Sequence, residues 1–386
     1  MQLTYRFRLY PSRAQEEKLL ATLNRCRWLY NHFLEQLNEK KGGKTPRRYE
    51  LQATLPRLKC EHPELKEVHS KVLQMILHQL YSNLRGLAGL KRNGHKVGRL
   101  RFKGEGWFKS FTYNQSGFKL IEERGKRKEL WLSKIGAIPI VLHRELDGEI
   151  KQAHIKRERS GKWFACFSVE VEDEPRPLQK TGKAIGIDVG VKHFLTDSEG
   201  RQIENPRYYE HSLERVRKLH RQLSKKQKKS ANTEKAKVRL ARAYERLVNQ
   251  RDDFLHKLSR FYIQNYSVVA TEDLNISNMV KNHLLAGKIL DASWGRFLHM
   301  LSYKAERADR TVVRVDPRGT SREYKHGELD RDYNAALNIL ERGLVGLGWP
   351  ELTPVEMGPL LSVPASAVVA GQAPSLNQEA PCDSWG

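Results

Sequence analysis

The chain opens on an alternation. In "LTYRFRLYP" the apolar Leu3, Tyr5, Phe7 and Leu9 are separated by polar residues, the period of a half-buried strand, and Pro11 ends it. The spacing then becomes helical. Ser12 and Gln15 form an S-x-x-Q capping box, after which Leu19, Leu20, Leu23, Cys26, Leu29, Tyr30, Phe33, Leu34 and Leu37 recur along one face. A basic, Gly-containing break, "KKGGKTPRR", leads into a polar helical stretch, and Ser70 opens a further amphipathic run, "KVLQMILHQLYSNL". The pattern predicts a strand within residues 1–10 and, inserted after it, a helical lobe over 11–92.

From residue 93 to 175 the period changes again. Short runs rich in Phe, Tyr, Trp and Val are separated by Gly, Asn and Ser turns, which predicts an antiparallel sheet or barrel that the first strand completes. Lys91, Arg92, Lys96, Arg99, Arg101, Lys103 and Lys109 are interleaved there with Phe102, Trp107, Phe108 and Phe111. Phosphate contacts and base-stacking faces could therefore share one surface, although about half of these aromatics belong in a barrel core by their nature. A Pro and Lys linker follows at 176–182. Residues 210–263 read as a basic helical hairpin broken at Ser/Ala/Asn, with Lys225, Lys226, Lys228 and Lys229 at the break. A charge run is usually a solvated face; on a chain this basic we read it as a nucleic-acid channel wall. The segment 346–386, rich in Pro, Gly, Ser and Ala, is expected to be a disordered tail.

Within 183–345, three apolar segments end in carboxylates. "AIGIDVG" carries Asp188, "NYSVVATEDLN" carries Glu272 and Asp273, and after "TVVRVDP" the segment "ELDRDYNAALNIL" places Asp332 in the first turn of a helix with Ala335, Ala336, Ile339 and Leu340 on its apolar face. A charge at the end of a buried strand needs a counter-charge or a metal. Any one such Asp is commonly structural, and Asp273, Asp316 and Asp330 read as caps or turn residues. Three in this order, each in its own element, would converge in a ribonuclease-H-like fold, where hard oxygen ligands suit two Mg²⁺ ions about 4 Å apart. Asp188 would bridge the ions, with Glu272 and Asp332 each on one. The "GIDVG" loop also resembles the first phosphate loop of actin-like ATPases, but no second Gly-rich phosphate loop or adenosine-binding glycine pair accompanies it. DDE transposases share the sheet, yet there the third ligand is usually Glu.

The composition points the same way. Among 386 residues, 69 Lys and Arg face 45 Asp and Glu, a formal charge of +24, which implies a polyanionic partner whose binding falls steeply with salt. No segment approaches the roughly 18–20 apolar residues that span a bilayer, so no membrane partner is expected, and the first residues lack a signal-peptide core. The four cysteines, Cys26, Cys60, Cys166 and Cys382, form no CxxC pair and read as reduced thiols of a cytoplasmic, nucleoid-associated protein.

"IGIDVGVKHFLTDSEG", "VVATEDLNISNM", "SWGRF", "DPRGTS" and "LDRDYNAALNIL", in that order, with "FKSFTYNQSGFKL" and "YRFRLYPSRAQEEKLLATLNRCRWLYN" upstream, resemble the TnpB (OrfB) proteins of insertion sequences, relatives of type V CRISPR effector nucleases. The resemblance covers nearly everything but the tail. It implies a multidomain α+β and α/β protein: a wedge β-barrel (1–10 and 93–175), a helical recognition lobe (11–92) and a RuvC nuclease domain (183–345). It implies a Mg²⁺-dependent, RNA-guided DNA endonuclease, a guide RNA from the transposon end, double-stranded target DNA read beside a short flanking motif, and Asp188, Glu272 and Asp332 as catalytic acids. A monomer is the favoured state. One departure stands out. Where the family carries a CxxC…CxxC zinc ribbon, this chain has a short loop at 320–330 containing only "REYKHGE", and His326 alone cannot hold zinc, so zinc is not expected. The alternative is accordingly an RNA-guided DNA-binding protein with weak or no cleavage.

Overall fold

Strand β1 (Gln2–Leu9) is central to a sheet rather than at its edge. In the computed structural model, which describes residues 2–39, 46–122, 127–171, 178, 181–321, 329–347 and 360–371, the chain forms two units, Met1–Asp173 and Glu174–Asp383.

In the first unit β1 is followed by α1 (Arg13–Glu39), α2 (Arg48–Ala53), α3 (Leu55–Glu61), a 3-10 helix (Pro63–Glu67) and α4 (Ser70–Arg92). The capping box forms as the sequence requires: Gln15 N–H donates to Ser12 Oγ at 3.3 Å and Ser12 N–H to Gln15 Oε1 at 2.9 Å. Of the nine α1 residues assigned to one face, all but Leu20 are buried. Six more strands follow: β2 (Ser110–Asn114), β3 (Phe118–Ile121), β4 (Glu129–Leu132), β5 (Gly136–Val141), β6 (Glu149–Arg157) and β7 (Trp163–Glu170). They join β1 in an antiparallel, barrel-like sheet of order β2-β6-β7-β1-β5-β4-β3. Tyr5, Phe7 and Leu9 enter its core because the strand period of two sends them to one side.

The second unit begins with the meander β8 (Ala184–Val189), β9 (His193–Asp197) and β10 (Arg201–Glu204). Helices α5 (Tyr208–Ser224) and α6 (Ala231–Asn265) then form the basic hairpin; Ser230 caps α6 by accepting from Thr233 N–H. After β11 (Val268–Glu272) come α7 (Ile276–Met279), α8 (His283–Ala292), α9 (Trp294–Arg307), β12 (Thr311–Val315) and α10 (Arg331–Val345). The sheet order is β12-β11-β8-β9-β10, with the meander antiparallel and β11 and β12 added parallel to β8.

Adjacent strand residues face opposite sides. Ile185, Ile187, Phe194 and Val269 pack with Phe254 of α6 and Phe297 of α9, where Phe194 meets both rings edge-on. Ala270 and Val315 pack with Ile339, so α10 covers the other face.

One expectation is corrected. The stretch 346–386 is not wholly a disordered tail, and the second unit does not end at 345: β13 (Leu361–Val363) pairs parallel with β10 and α11 (Ala365–Ala370) follows it. The reason is local. β10 would otherwise leave an edge of unpaired backbone groups, which β13 occupies, with Val363 and Val368 buried in the core. The shortened loop's "REYKHGE", with His326, and most of the 176–182 linker lie outside the described residues.

Candidate active site

The face covered by α10 answers why a carboxylate ends the apolar strand. Gly186 lies on that face against Ala336 and Leu340, and Asp188, two residues on, shares it. Glu272, two residues beyond Ala270, ends the neighbouring parallel strand on the same face. Asp332 lies in the first turn of α10, its Oδ2 lying toward the Gly190 backbone just past β8. Two parallel strand ends and one helix start thus direct three carboxylates to one region.

Their electrostatics confirm the proximity. Asp188 is mostly buried, and its pKa is pushed up to about 8, first by desolvation and then by the negative charges of Glu272 and Asp332. Burial also raises the Glu272 carboxyl, against the Thr320 hydroxyl and the Arg342 charge, which lower it. The carboxylates do not close into a ready-made cage: among the described residues, no three His, Cys, Asp or Glu stand at metal-binding spacing. Glu272 Oε1 accepts from the Thr320 hydroxyl at 2.6 Å.

The neighbouring acids do what turn and cap residues do. Asp330 caps α10 by accepting from the Asp332 and Tyr333 N–H groups, Asp316 accepts from Arg318 N–H, and Asp273 lies exposed by Arg314.

Sequence reasoning missed the residues that hold the site. Thr320, in the quoted "DPRGTS", gives its carbonyl to the Asn338 amide at 2.8 Å, and Arg342 donates to the carbonyls of Asp316 and Arg318. The loop before α10 is thereby pinned to the helix that carries Asp332. A buried Asn on the apolar face of "YNAALNIL" was the available signal. The hairpin acid Asp197 was missed as well: fully buried, it accepts from Arg201 Nε at 2.7 Å, Tyr262 OH at 2.9 Å and two backbone N–H groups.

The proposed nucleic-acid residues divide between the two units. In the first, Lys91 and Arg92 end α4, and Lys96, Arg99 and Arg101 are exposed in the loop that follows, with Lys103 and Lys109 half-buried. Desolvation lowers the Lys109 ammonium pKa. Of the interleaved aromatics, Phe108 and Phe111 are core, while Phe102 and Trp107 are 56% and 68% exposed. In the second unit Lys225, Lys226, Lys228 and Lys229 are all exposed at the α5–α6 turn.

A protein of Streptomyces pristinaespiralis named "Putative RNA-guided DNA endonuclease" is 32% identical over 372 residues, covering 88% of this chain and 89% of its own. This chain belongs to the TnpB (OrfB) family. The Escherichia coli K12 member named "Putative RNA-guided DNA endonuclease InsQ" is 28% identical, covering 82% and 81% of the two chains. Family models described as "Probable transposase", "Helix-turn-helix domain" and "Cas12f1-like, TNB domain" match residues 166–283, 1–42 and 294–339. Residues 2–39 nevertheless form one strand and one 27-residue helix, with no turn between helices. The fold is similar to that in a cryo-EM structure of a Cas12f1–sgRNA–target DNA complex, at 13% identity and a TM-score of 0.52, covering 88% of this chain and 98% of the other. Among the described residues, no helix is long and apolar enough to cross a membrane.

Proposed function

We propose that this family member is an RNA-guided DNA endonuclease of an insertion sequence, acting in the cytoplasm on nucleoid DNA, with Asp188, Glu272 and Asp332 as its catalytic acids. The observation that carries the reading is the convergence of these three carboxylates on the α10 face of a sheet built from an antiparallel meander and two added parallel strands, the arrangement expected of a ribonuclease-H-like RuvC core. Its partners are a guide RNA and double-stranded DNA, read through base pairing and a short flanking motif.

The donor set fits Mg²⁺ in its chemistry. All three groups are hard oxygen ligands, and burial together with Glu272 and Asp332 disfavours the ionised form of Asp188, which a cation would favour. When bound, Mg²⁺ supplies an activated water and stabilises the leaving oxygen of a phosphodiester. The chain's own contributions are to hold Glu272 through Thr320, to present Asp332 through the Asp330-capped start of α10, and to draw the phosphate backbone with its excess of Lys and Arg. A second reading, guided binding with weak or no cleavage, is favoured by one observation: no cysteine lies between "DPRGTS" and "LDRDYNAA" to build a zinc ribbon.

Plasmid cleavage in Mg²⁺ by the protein co-expressed with its transposon-end RNA separates the two. The target is matched to the guide and flanked by randomised sequence, with Asp188→Ala alongside. Cleavage by the wild type alone is expected. Retained RNA and target binding without cleavage by either protein would establish the second reading.

A further inference from the structure

A cavity of about 300 Å³ in the first unit is lined by Arg27, Trp28, Asn31, His32, Glu35 and Phe102. Five of these are on α1; the sixth reaches it from the basic loop after α4. That loop is fixed in place: Asn31 accepts from Lys103 N–H at 2.8 Å and donates to Lys103 O at 3.0 Å, so Phe102 is held beside the helix by its neighbour's backbone. Trp28 is already occupied, stacked on His32 at 5.1 Å with His62 at 4.4 Å. Among the described residues Phe102 has no ring partner, and it is 56% exposed. An exposed aromatic at a small cavity, next to a backbone tied to α1 and bracketed in the chain by Arg101 and Lys103, has the features a base-stacking platform needs.

The polar groups give the cavity a direction. Arg27 spends one N–H on the Lys103 carbonyl at 3.5 Å, and its buried Nε has no hydrogen-bond partner among the described residues. Glu35, exposed eight residues further along α1, has no hydrogen bond or ion pair among the described residues. A guanidinium and a free carboxylate in one cavity match guanine, which offers N7 and O6 as acceptors on one edge and N1–H and N2–H₂ as donors on the other. Adenine offers a carboxylate only its N6 amine, and uracil only N3–H. The volume lies at the small end for ligand sites, which suits one nucleotide.

We infer that this cavity captures a single unpaired guanine of a bound nucleic acid strand, stacked on Phe102 between Arg27 and Glu35. The inference rests on the reading of the chain as a nucleic-acid-binding protein, and its test keeps the two apart. The full-length chain, stripped of copurified nucleic acid at high salt, is titrated with three twelve-nucleotide RNAs: all uridine, uridine with one central adenosine, and uridine with one central guanosine. The electrostatic contribution is common to all three. The guanosine RNA is expected to bind about fivefold or more tighter than the other two, within what stacking and edge recognition supply. Phe102→Ala should abolish that preference, Phe102→Trp should keep it, and Glu35→Gln should reduce it. Equal binding of all three RNAs by the wild type, or a guanosine preference that survives Phe102→Ala, overturns the guanine site alone. Binding of none overturns both the site and the nucleic-acid reading.

Discussion

Gly186 of the central strand lies against Ala336 of α10 so closely that a methyl group on the glycine would overlap the Ala336 carbonyl oxygen and come within 2.8 Å of the Leu340 backbone nitrogen. The obstacle is backbone, which cannot swing aside as a side chain can. Gly186 therefore sets how near α10, with Asp332 at its start, comes to the strand that ends in Asp188. Gly186→Ala should destabilise the second unit by about 2–3 kcal/mol and move Asp332 away from Asp188. A lower urea midpoint together with lost cleavage is the expected result; unchanged stability would show that the helix can shift freely.

Glu272 depends on Thr320 in a gentler way. Thr320→Val keeps the shape but removes the hydroxyl that holds Glu272 Oε1 at 2.6 Å. The carboxylate then loses a hydrogen bond worth about 1.5 kcal/mol, the range for bonds to charged groups. Cleavage should fall by about tenfold with nucleic-acid affinity unchanged, and Thr320→Ser should restore it. Equal rates for Val and Ser variants would remove Thr320 from the site.

Legibility followed range. The β1 and α1 patterns were readable because period and capping are local, and the carboxylates because a charge ending an apolar strand conflicts with its surroundings. Asp197 ends β9 in the same way, but "TDSEGR" after it reads as an ordinary turn, and only the folded chain brings Tyr262, 65 residues away, onto it. The same holds for β13, three residues long, whose stability comes from the β10 edge rather than from its own composition. Phe108 and Phe111 could not be told from Phe102 and Trp107 in the sequence, because the strand carrying Phe111 begins only at Ser110 and the preceding loop has no period.

The Asp197–Arg201 pair makes a third prediction. Both side chains are nearly inaccessible, and Arg201 also reaches Tyr266 and Glu199. Asp197→Ala leaves a guanidinium buried without its main partner and should cost about 3–5 kcal/mol, whereas the double change Asp197→Leu with Arg201→Met should recover much of it. Chemical denaturation of the single and double variants checks this; a double variant no better than Asp197→Ala would mean that the tyrosines, not the ion pair, hold the hairpin.

The α5–α6 turn tests the electrostatic argument. Replacing Lys225, Lys226 and Lys228 by Gln, and Lys229 by Asn because its φ is +67°, removes four exposed charges without touching the core. Each lysine that neutralises a phosphate contributes about 0.7–0.9 to the slope of log affinity against log salt, so the slope should shallow by up to about 3.6. No change in slope would return this run to the status of a solvated turn.

Lys304 gives the second unit a pH dependence. Its ammonium donates to His256 O at 2.7 Å and Ser259 Oγ at 2.8 Å, and its pKa is drawn down to about 8, chiefly by burial and then by Arg260. An unfolded lysine holds its proton to about pH 10.4. Between these values the unfolded chain binds more protons than the folded one, so stability rises with pH, by up to about 1.4 kcal/mol per unit. Below pH 8 both states are protonated and the burial cost stands in full. Burial also raises the Tyr262 and Tyr266 hydroxyls, which erodes stability once the unfolded phenols ionise near pH 10, but this is common to a Lys304→Met variant and cancels in the comparison. Urea titrations from pH 7 to 10 should therefore show wild type gaining on Lys304→Met as pH increases, and parallel curves would place the ammonium in solvent.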